Sequence, residues 1–414
     1  TAILTDNQVF YNQASGHGGG FHLRSSNVYV ARNQVMTNTS ANLGGGIYCN
    51  AGIPQYIENV VSFNNARNGG GVYCSGGSPQ LIDNLLEFNS ANETFLSYGG
   101  GIQLELTSGA QVNENSILGN VSRRGGGLYI RDTDNAVVQL NTVLSNTAIL
   151  GGGMFVQSGI DTSRYLTNTI AFNTVSGSDN RGAGVFINGG ASQWEFNAIH
   201  SNVATMRGGG IYLSSSDSSR WEFNMIYNNT AHQRGGGIYA YSSSATLRSN
   251  WIALNSALNT TDSGGGLYVS EGVPVLANNQ VLTNTTPGFG GGVYLYAPAT
   301  NSIFQQNTFA ANTAAKGGGL FVYRGRPTLI ENRVLRNTAT ELTDSGGGIY
   351  VNSTASHLIS LLRNVIQENH AQGQGGGMYI TGAVQDVFDG NVLFANTAQS
   401  DGGGMFLINT TAQM

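Results

Sequence analysis

Fifteen glycine triplets recur along the chain, beginning at Gly18, Gly44, Gly69, Gly99, Gly125, Gly151, Gly182 (as Gly-Ala-Gly), Gly208, Gly235, Gly264, Gly290, Gly317, Gly346, Gly375 and Gly402. The mean interval is about 27 residues, close to leucine-rich and β-helix repeats and well short of a propeller blade. A chain with one short period from end to end buries apolar surface by stacking each repeat on its neighbours. The expectation is a single solenoid domain over 1–414, whole or as a segment of a longer protein.

The residues within a repeat select the kind of solenoid. Counting the first glycine as zero, positions +3 and +5 are apolar in every copy and +4 is Tyr or Phe in thirteen. Alternation over so few residues marks a short strand with +3 and +5 facing a core and +4 facing away. Downstream, every copy carries two asparagines five apart, as in "NQVMTN" 33–38, "NTVLSN" 141–146 and "NVLFAN" 391–396. The residue two after the first Asn (Val9, Val35, Ile117, Phe309, Leu393) and the residue three before it (Leu4, Val30, Trp194, Trp221, Phe388) are bulky and apolar, which adds two further strands. Asn tolerates a left-handed bend and can hydrogen-bond its own copies, so the bends should form asparagine ladders. The pattern describes an all-β, right-handed parallel β-helix of about fifteen coils, three short strands each, with coils ~4.8 Å apart in a rod. The L-x-x-L-x-L signature of leucine-rich repeats is absent.

Composition removes several function classes. Apolar residues make up 40% and charged residues 10%, which fits neither a disordered polyelectrolyte nor a membrane span. A net charge of −5 with a single lysine, Lys316, offers no basic stripe for nucleic acid. The opening "TAILTDNQVFYN" has no charged n-region followed by an apolar h-region, so an export signal would lie outside this segment. No cofactor motif is present: HExxH, P-loop, CxxC and nucleophile elbow are all missing.

Glycine costs backbone entropy, so the triplets imply a bend at positive φ, a surface that must be approached closely, or both. Beside that bare strip run Tyr48, Tyr73, Tyr129, Phe155, Phe186, Tyr212, Tyr239, Tyr268, Tyr294, Phe321, Tyr350, Tyr379 and Phe406, an aromatic ladder at position +4. Two readings stand: the rings stack and shield their own sheet, or the face is an interface. Self-association or protein contact ranks above glycan binding, because a sugar site needs polar groups beside the ring. Cys49 and Cys74 share position +5 in consecutive copies, within reach of a disulfide or equally two small hydrophobes in the core. Glu58, Asp83 and Glu114 each precede a first Asn in successive copies, a candidate Ca²⁺ ladder or a solvated charge row.

Polysaccharide lyases and glycosidases also use β-helices, so catalytic groupings were sought. "GHG" at 16–18 stands without paired aspartates. Glu195 and Glu222, following Trp194 and Trp221, suggest the carboxyl pair of a retaining glycosidase, yet Arg248 continues their row as a charge partner. Thr39, Thr147, Thr174, Thr230 and Thr338 suggest an ice-binding array, broken by Val121, Val203 and His370.

"FNNARNGGGVYC" at 63–74 and "FNSA" at 88–91, with later "GGGI", resemble the F-x-x-N and G-G-A-[ILV] repeats of polymorphic outer-membrane autotransporter proteins and of β-helical adhesin passengers generally. The third glycine departs from that family's alanine, and no C-terminal translocating barrel follows. The resemblance implies an extracellular or cell-surface rod used in adhesion or envelope architecture, with host or matrix protein or glycan as partner. Homo-oligomerisation, lateral or head-to-tail through a coil completed between Met414 and Thr1 of another copy, is the expected assembly. Asn92, Asn259 and Asn352, on or near the loops, are among eight matches to the N-x-[ST] acceptor pattern and could carry glycans in a host that makes them.

Overall fold

The computed structural model describes every residue except 1, 25–26, 92–95, 158–161, 178, 215–218, 297–299, 353–358, 383, 409–410 and 414. Asn92 and the Met414–Thr1 junction therefore lie outside the described residues. The chain falls into two compact units, Thr1–Ala204 and Thr205–Met414. Each is a parallel β-helix built almost wholly of strands and turns. No helix among the described residues is long and apolar enough to cross a membrane.

In the first unit, each strand pairs in parallel with its equivalent one repeat on. Ile47–Asn50 lies beside Val72–Ser75, which sets Tyr48 against Tyr73 and Cys49 against Cys74. Tyr29–Ala31 pairs with Gln55–Ile57, and Gln34–Met36 with Val60–Ser62. The second unit repeats the plan: Ile238–Tyr241 on Leu267–Ser270, Thr246–Arg248 on Val275–Ala277, and Trp251–Ala253 on Gln280–Leu282. Three sheets per unit thus face a common column. Of the residues expected to fill it, Val30, Val35, Ile117, Trp194, Trp221 and Phe309 are buried, while Leu4, Val9, Phe388 and Leu393 in the first and last coils are partly exposed. A fourth, two-residue strand such as Thr39–Ser40 or Asn65–Ala66 closes most coils. Its inward residue is small (Ala66, Ala148, Ala231, Ala339), and two residues carry no periodicity for a sequence reading to detect.

The corners differ from expectation in one respect. The left-handed residue is the one before each asparagine (Arg32, Glu58, Phe63, Phe88, Leu140, Ser145, with φ between 52° and 57°), whereas none of the paired asparagines has positive φ. The asparagine turns inward, where its amide is saturated. Asn146 Oδ1 accepts from Asn120 N and Nδ2 at 2.9 and 3.1 Å. Its own N and Nδ2 donate to Asn173 Oδ1 at 2.9 and 3.0 Å, and the other Nδ2 hydrogen goes to the Ile117 carbonyl at 2.9 Å. Asn255 in the second unit is bonded in the same way to Asn229, Asn284 and Ile226. Charge-neutral bonds of this kind contribute about 1 kcal/mol each, and the cost rises when a buried partner is orphaned.

The triplet glycines serve the stacking of the chain on itself. Gly44 has φ +66°, and a Cβ on Gly45 would come within 2.3 Å of the Gly70 carbonyl oxygen and 2.6 Å of that of Asn65. The close approach anticipated for an outside partner is made by the next coil. Where Gly-Ala-Gly stands, Ala183 finds room among Ala148, Val175 and Ala204.

Replacing Asn146 with Ala leaves the Asn120 N and Nδ2 donors without their acceptor and removes one side-chain donor each from Asn173 Oδ1 and the Ile117 carbonyl, and should cost about 3 kcal/mol or more. At the exposed left-handed Ser145, Gly should be neutral or stabilising by up to about 1 kcal/mol and Val destabilising. Urea unfolding followed by circular dichroism reads both series.

Candidate functional site: the aromatic column and its groove

The +4 rings form continuous stacks. In the first unit Tyr48 and Tyr73 lie 5.6 Å apart, Tyr129 and Phe155 5.3 Å, and Phe155 and Phe186 4.6 Å, all within 24° of parallel. In the second unit Tyr212, Tyr239, Tyr268, Tyr294, Phe321, Tyr350, Tyr379 and Phe406 follow one another at 4.8 to 5.2 Å. The strand alternation turns them away from the coil interior, yet from Tyr48 to Tyr379 none is more than 7% exposed, and Phe406 is half-buried. The exposed aromatic face is therefore corrected: the rings shield their own sheet. Such pairs contribute about 0.5–1.5 kcal/mol beyond their area.

At seven triplets the preceding residue reaches over the ring of the next repeat. His17 stacks on Tyr48 at 4.8 Å, Tyr98 on Tyr129 at 4.8 Å and Phe289 on Phe321 at 5.0 Å. The cations do likewise: Arg124 lies over Phe155 at 5.9 Å, Arg207 over Tyr239 at 5.5 Å, Arg234 over Tyr268 at 5.4 Å and Lys316 over Tyr350 at 5.5 Å. Cation–π contacts then add to ring stacking. His17 of "GHG" is thereby a lid on Tyr48. Where the ladder lacks a ring, buried Gln103 donates to Glu105 at 3.1 Å, as does the Tyr73 hydroxyl at 2.7 Å, and Arg131 pairs with the same carboxylate.

Two insertions change the covering residue in the second unit. Ser263 and Ser345, just before their triplets, turn back to bond the Thr261 and Thr343 carbonyls at 2.7 and 3.0 Å. Asp262 and Asp344 consequently take the covering register, opposite Phe289 and Gln374. Asp262 Oδ1 accepts the Tyr294 hydroxyl at 2.9 Å and its Oδ2 faces Arg234 Nη2 at 3.5 Å. Lys316 Nζ lies 3.7 Å from Asp344.

Between this row of lids and an opposite wall of Tyr296, Tyr323 and Asn352 opens a groove of about 350 Å³, floored by Tyr294, Phe321 and Tyr350. The wall tyrosines stack at 5.7 Å, and Arg324 lies 4.9 Å over Tyr323. Burial, then the Asp262 charge, raises the Tyr294 phenol above its ordinary range. Burial, then Asp344, raises Tyr350 and pushes Tyr379 up to about 12. The sequence reading missed this groove, because Tyr296 and Tyr323 lie at +6, where other copies carry Ser75, Ser214 or Ser270.

Other expected sites fare differently. Cys49 and Cys74 are neighbours in the core and stand as free, buried thiols, so of the two readings the structure takes the pair of small core residues. Burial raises the Cys74 thiol. The calcium ladder is also corrected. Glu58, Asp83 and Glu114 sit at left-handed corners with their side chains in solvent, and no group of three such ligands converges among the described residues. Arg32 pairs with Asp6 at 2.9 Å. Glu222 is held by Arg220 at 2.7 Å and Arg248 at 3.8 Å, the charge-paired row read from sequence. Among the threonines, Thr147 and Thr174 bring their hydroxyls to 3.2 Å, while His370 interposes its ring on Thr397.

A family model described as a right-handed β-helix region matches residues 183–364. Over that stretch the chain is similar to right-handed β-helices. Neither the curated proteins nor the solved structures return a match.

Both thiols should resist Ellman's reagent in the folded protein and react fully on denaturation. The raised tyrosines keep their protons in the fold while unfolded tyrosine ionises near pH 10. Their contribution is thus complete below about pH 10 and declines as pH rises through the folded values, a loss read by melting temperature between about pH 9 and 12.

Proposed function

We propose that this chain is an extracellular or cell-surface structural solenoid that works through surface contact, by self-association and adhesion. The observation that carries the reading is at the corners. Phe63, Phe88, Phe172, Phe196 and Phe223 occupy left-handed positions and are 49 to 57% exposed, and Phe63 stacks on Phe88 at 5.2 Å. The same registers accept Asp6, Arg32 or Ser145 in other copies, so the fold does not require an aromatic residue there. Large apolar groups held in solvent at a conformational cost of about 1 kcal/mol each are explained by contact with another surface.

Leu140 and Leu254 at further left-handed corners, and Met225 in the strand beside Phe223, add apolar groups that are each about half exposed. The residues that carry the likeness to adhesin repeats, Phe63 and Phe88, are among those displayed. Lateral packing between copies is the simplest use of such exposed corners, and adhesion to a partner protein is its heterologous counterpart.

Sedimentation velocity from micromolar to millimolar concentration tests the reading. Wild-type protein should show concentration-dependent assembly, and a variant with all five phenylalanines changed to Ser should shift strongly toward monomer with its melting temperature little changed. Monomer at every concentration, or unchanged assembly in the variant, rejects the self-association arm.

A further inference from the structure

We infer that the groove of the second unit binds a neutral saccharide of one or two rings, an inference that refines the surface-contact reading by naming a ligand. Its volume of about 350 Å³ lies at the small end of ligand pockets, which run roughly 300–1,000 Å³. Three features of its chemistry point to the ligand class.

The charges at its rim are matched within the protein. Asp262 is taken up by the Tyr294 hydroxyl and Arg234, and Lys316 faces Asp344. Among the residues that line the groove a phosphate, sulfate or metal cation would find no uncompensated charge, and Arg324, whose guanidinium lies over the Tyr323 ring, is not part of that lining, so a neutral ligand fits best. The hydrogen-bonding capacity is nonetheless high. Among the described residues no hydrogen bond occupies the hydroxyls of Tyr296, Tyr323 or Tyr350, and each can donate and accept. The side walls are aromatic: Phe289 on one side, Tyr296 and Tyr323 on the other. Neutral ligands that combine apolar C–H faces with a rim of hydroxyls are saccharides, and this groove offers a surface for each part.

The wall is also built ahead of any ligand. Tyr296 and Tyr323 brace each other, and Arg324 fixes Tyr323 from beyond, which reduces the ordering cost of binding. The fold does not need these rings, since Ser75, Ser214 and Ser270 hold the same register elsewhere.

Isothermal titration and saturation-transfer NMR on the full chain test the inference. Cellotriose, maltotriose and triacetylchitotriose represent matrix polysaccharide, and a released high-mannose N-glycan represents glycoprotein; whichever binds identifies the source. Tyr296→Ser combined with Tyr323→Ser should weaken binding about tenfold or more, and the Phe pair, which loses only hydroxyls, by less. Circular dichroism melting and sedimentation of the same variants should match wild type, which separates loss of the groove from loss of assembly. The inference is overturned if no neutral saccharide binds, if a heparin disaccharide or inorganic phosphate binds in preference, or if the Ser variant binds like wild type.

Discussion

The inward asparagine amide at each corner is the interaction on which the rest of the structure depends. Its oxygen accepts two hydrogen bonds from the preceding repeat, its Nδ2 gives one hydrogen to the following repeat and the other to a carbonyl behind it, and the backbone N–H of the same residue adds a second bond forward, as at Asn146 and Asn255. A buried polar group is tolerated only when satisfied in this way. Because each amide is satisfied by its own equivalent, one repeat fixes the register of the next. Aligned apolar columns and stacked rings then follow as consequences.

That constraint shapes the surface as much as the core. Turning the asparagine inward forces the residue before it into the left-handed region, with its side chain in solvent. The corner therefore becomes a display position whose chemistry is free to vary, charged at Asp6 and Arg32 and aromatic at Phe63, Phe88, Phe196 and Phe223. The triplet edge works in the opposite sense. Glycines let the backbone pack against itself, and the +4 rings beside them are withdrawn under lids such as His17, Arg124 and Lys316. Corner residues and the groove thus offer apolar groups to a partner, while the conspicuous ladder is internal.

Of the candidate sites, those that depend on stacking alone were legible in the sequence, and those that depend on side-chain direction were not. The register that brings Cys49 beside Cys74 follows from counting, whereas their state as thiols does not. Glu58, Asp83 and Glu114 do share a column, but their side chains lie in solvent and no group of three such ligands converges among the described residues. The groove escaped notice because it is assembled from three registers at once. Asp262 reaches its place only because Ser263 folds the inserted loop back.

The sequence by itself determined the period, the parallel β-helix, the inward columns and the asparagine ladders, because all of these follow from residues recurring at fixed offsets. Tertiary structure decided which outward residues remain accessible. Whether a ring at +4 meets solvent depends on a residue reaching across from the neighbouring repeat, and whether a corner residue is displayed depends on the backbone sign at that corner. Both are properties of contacts between repeats, and no pattern within a single repeat encodes them.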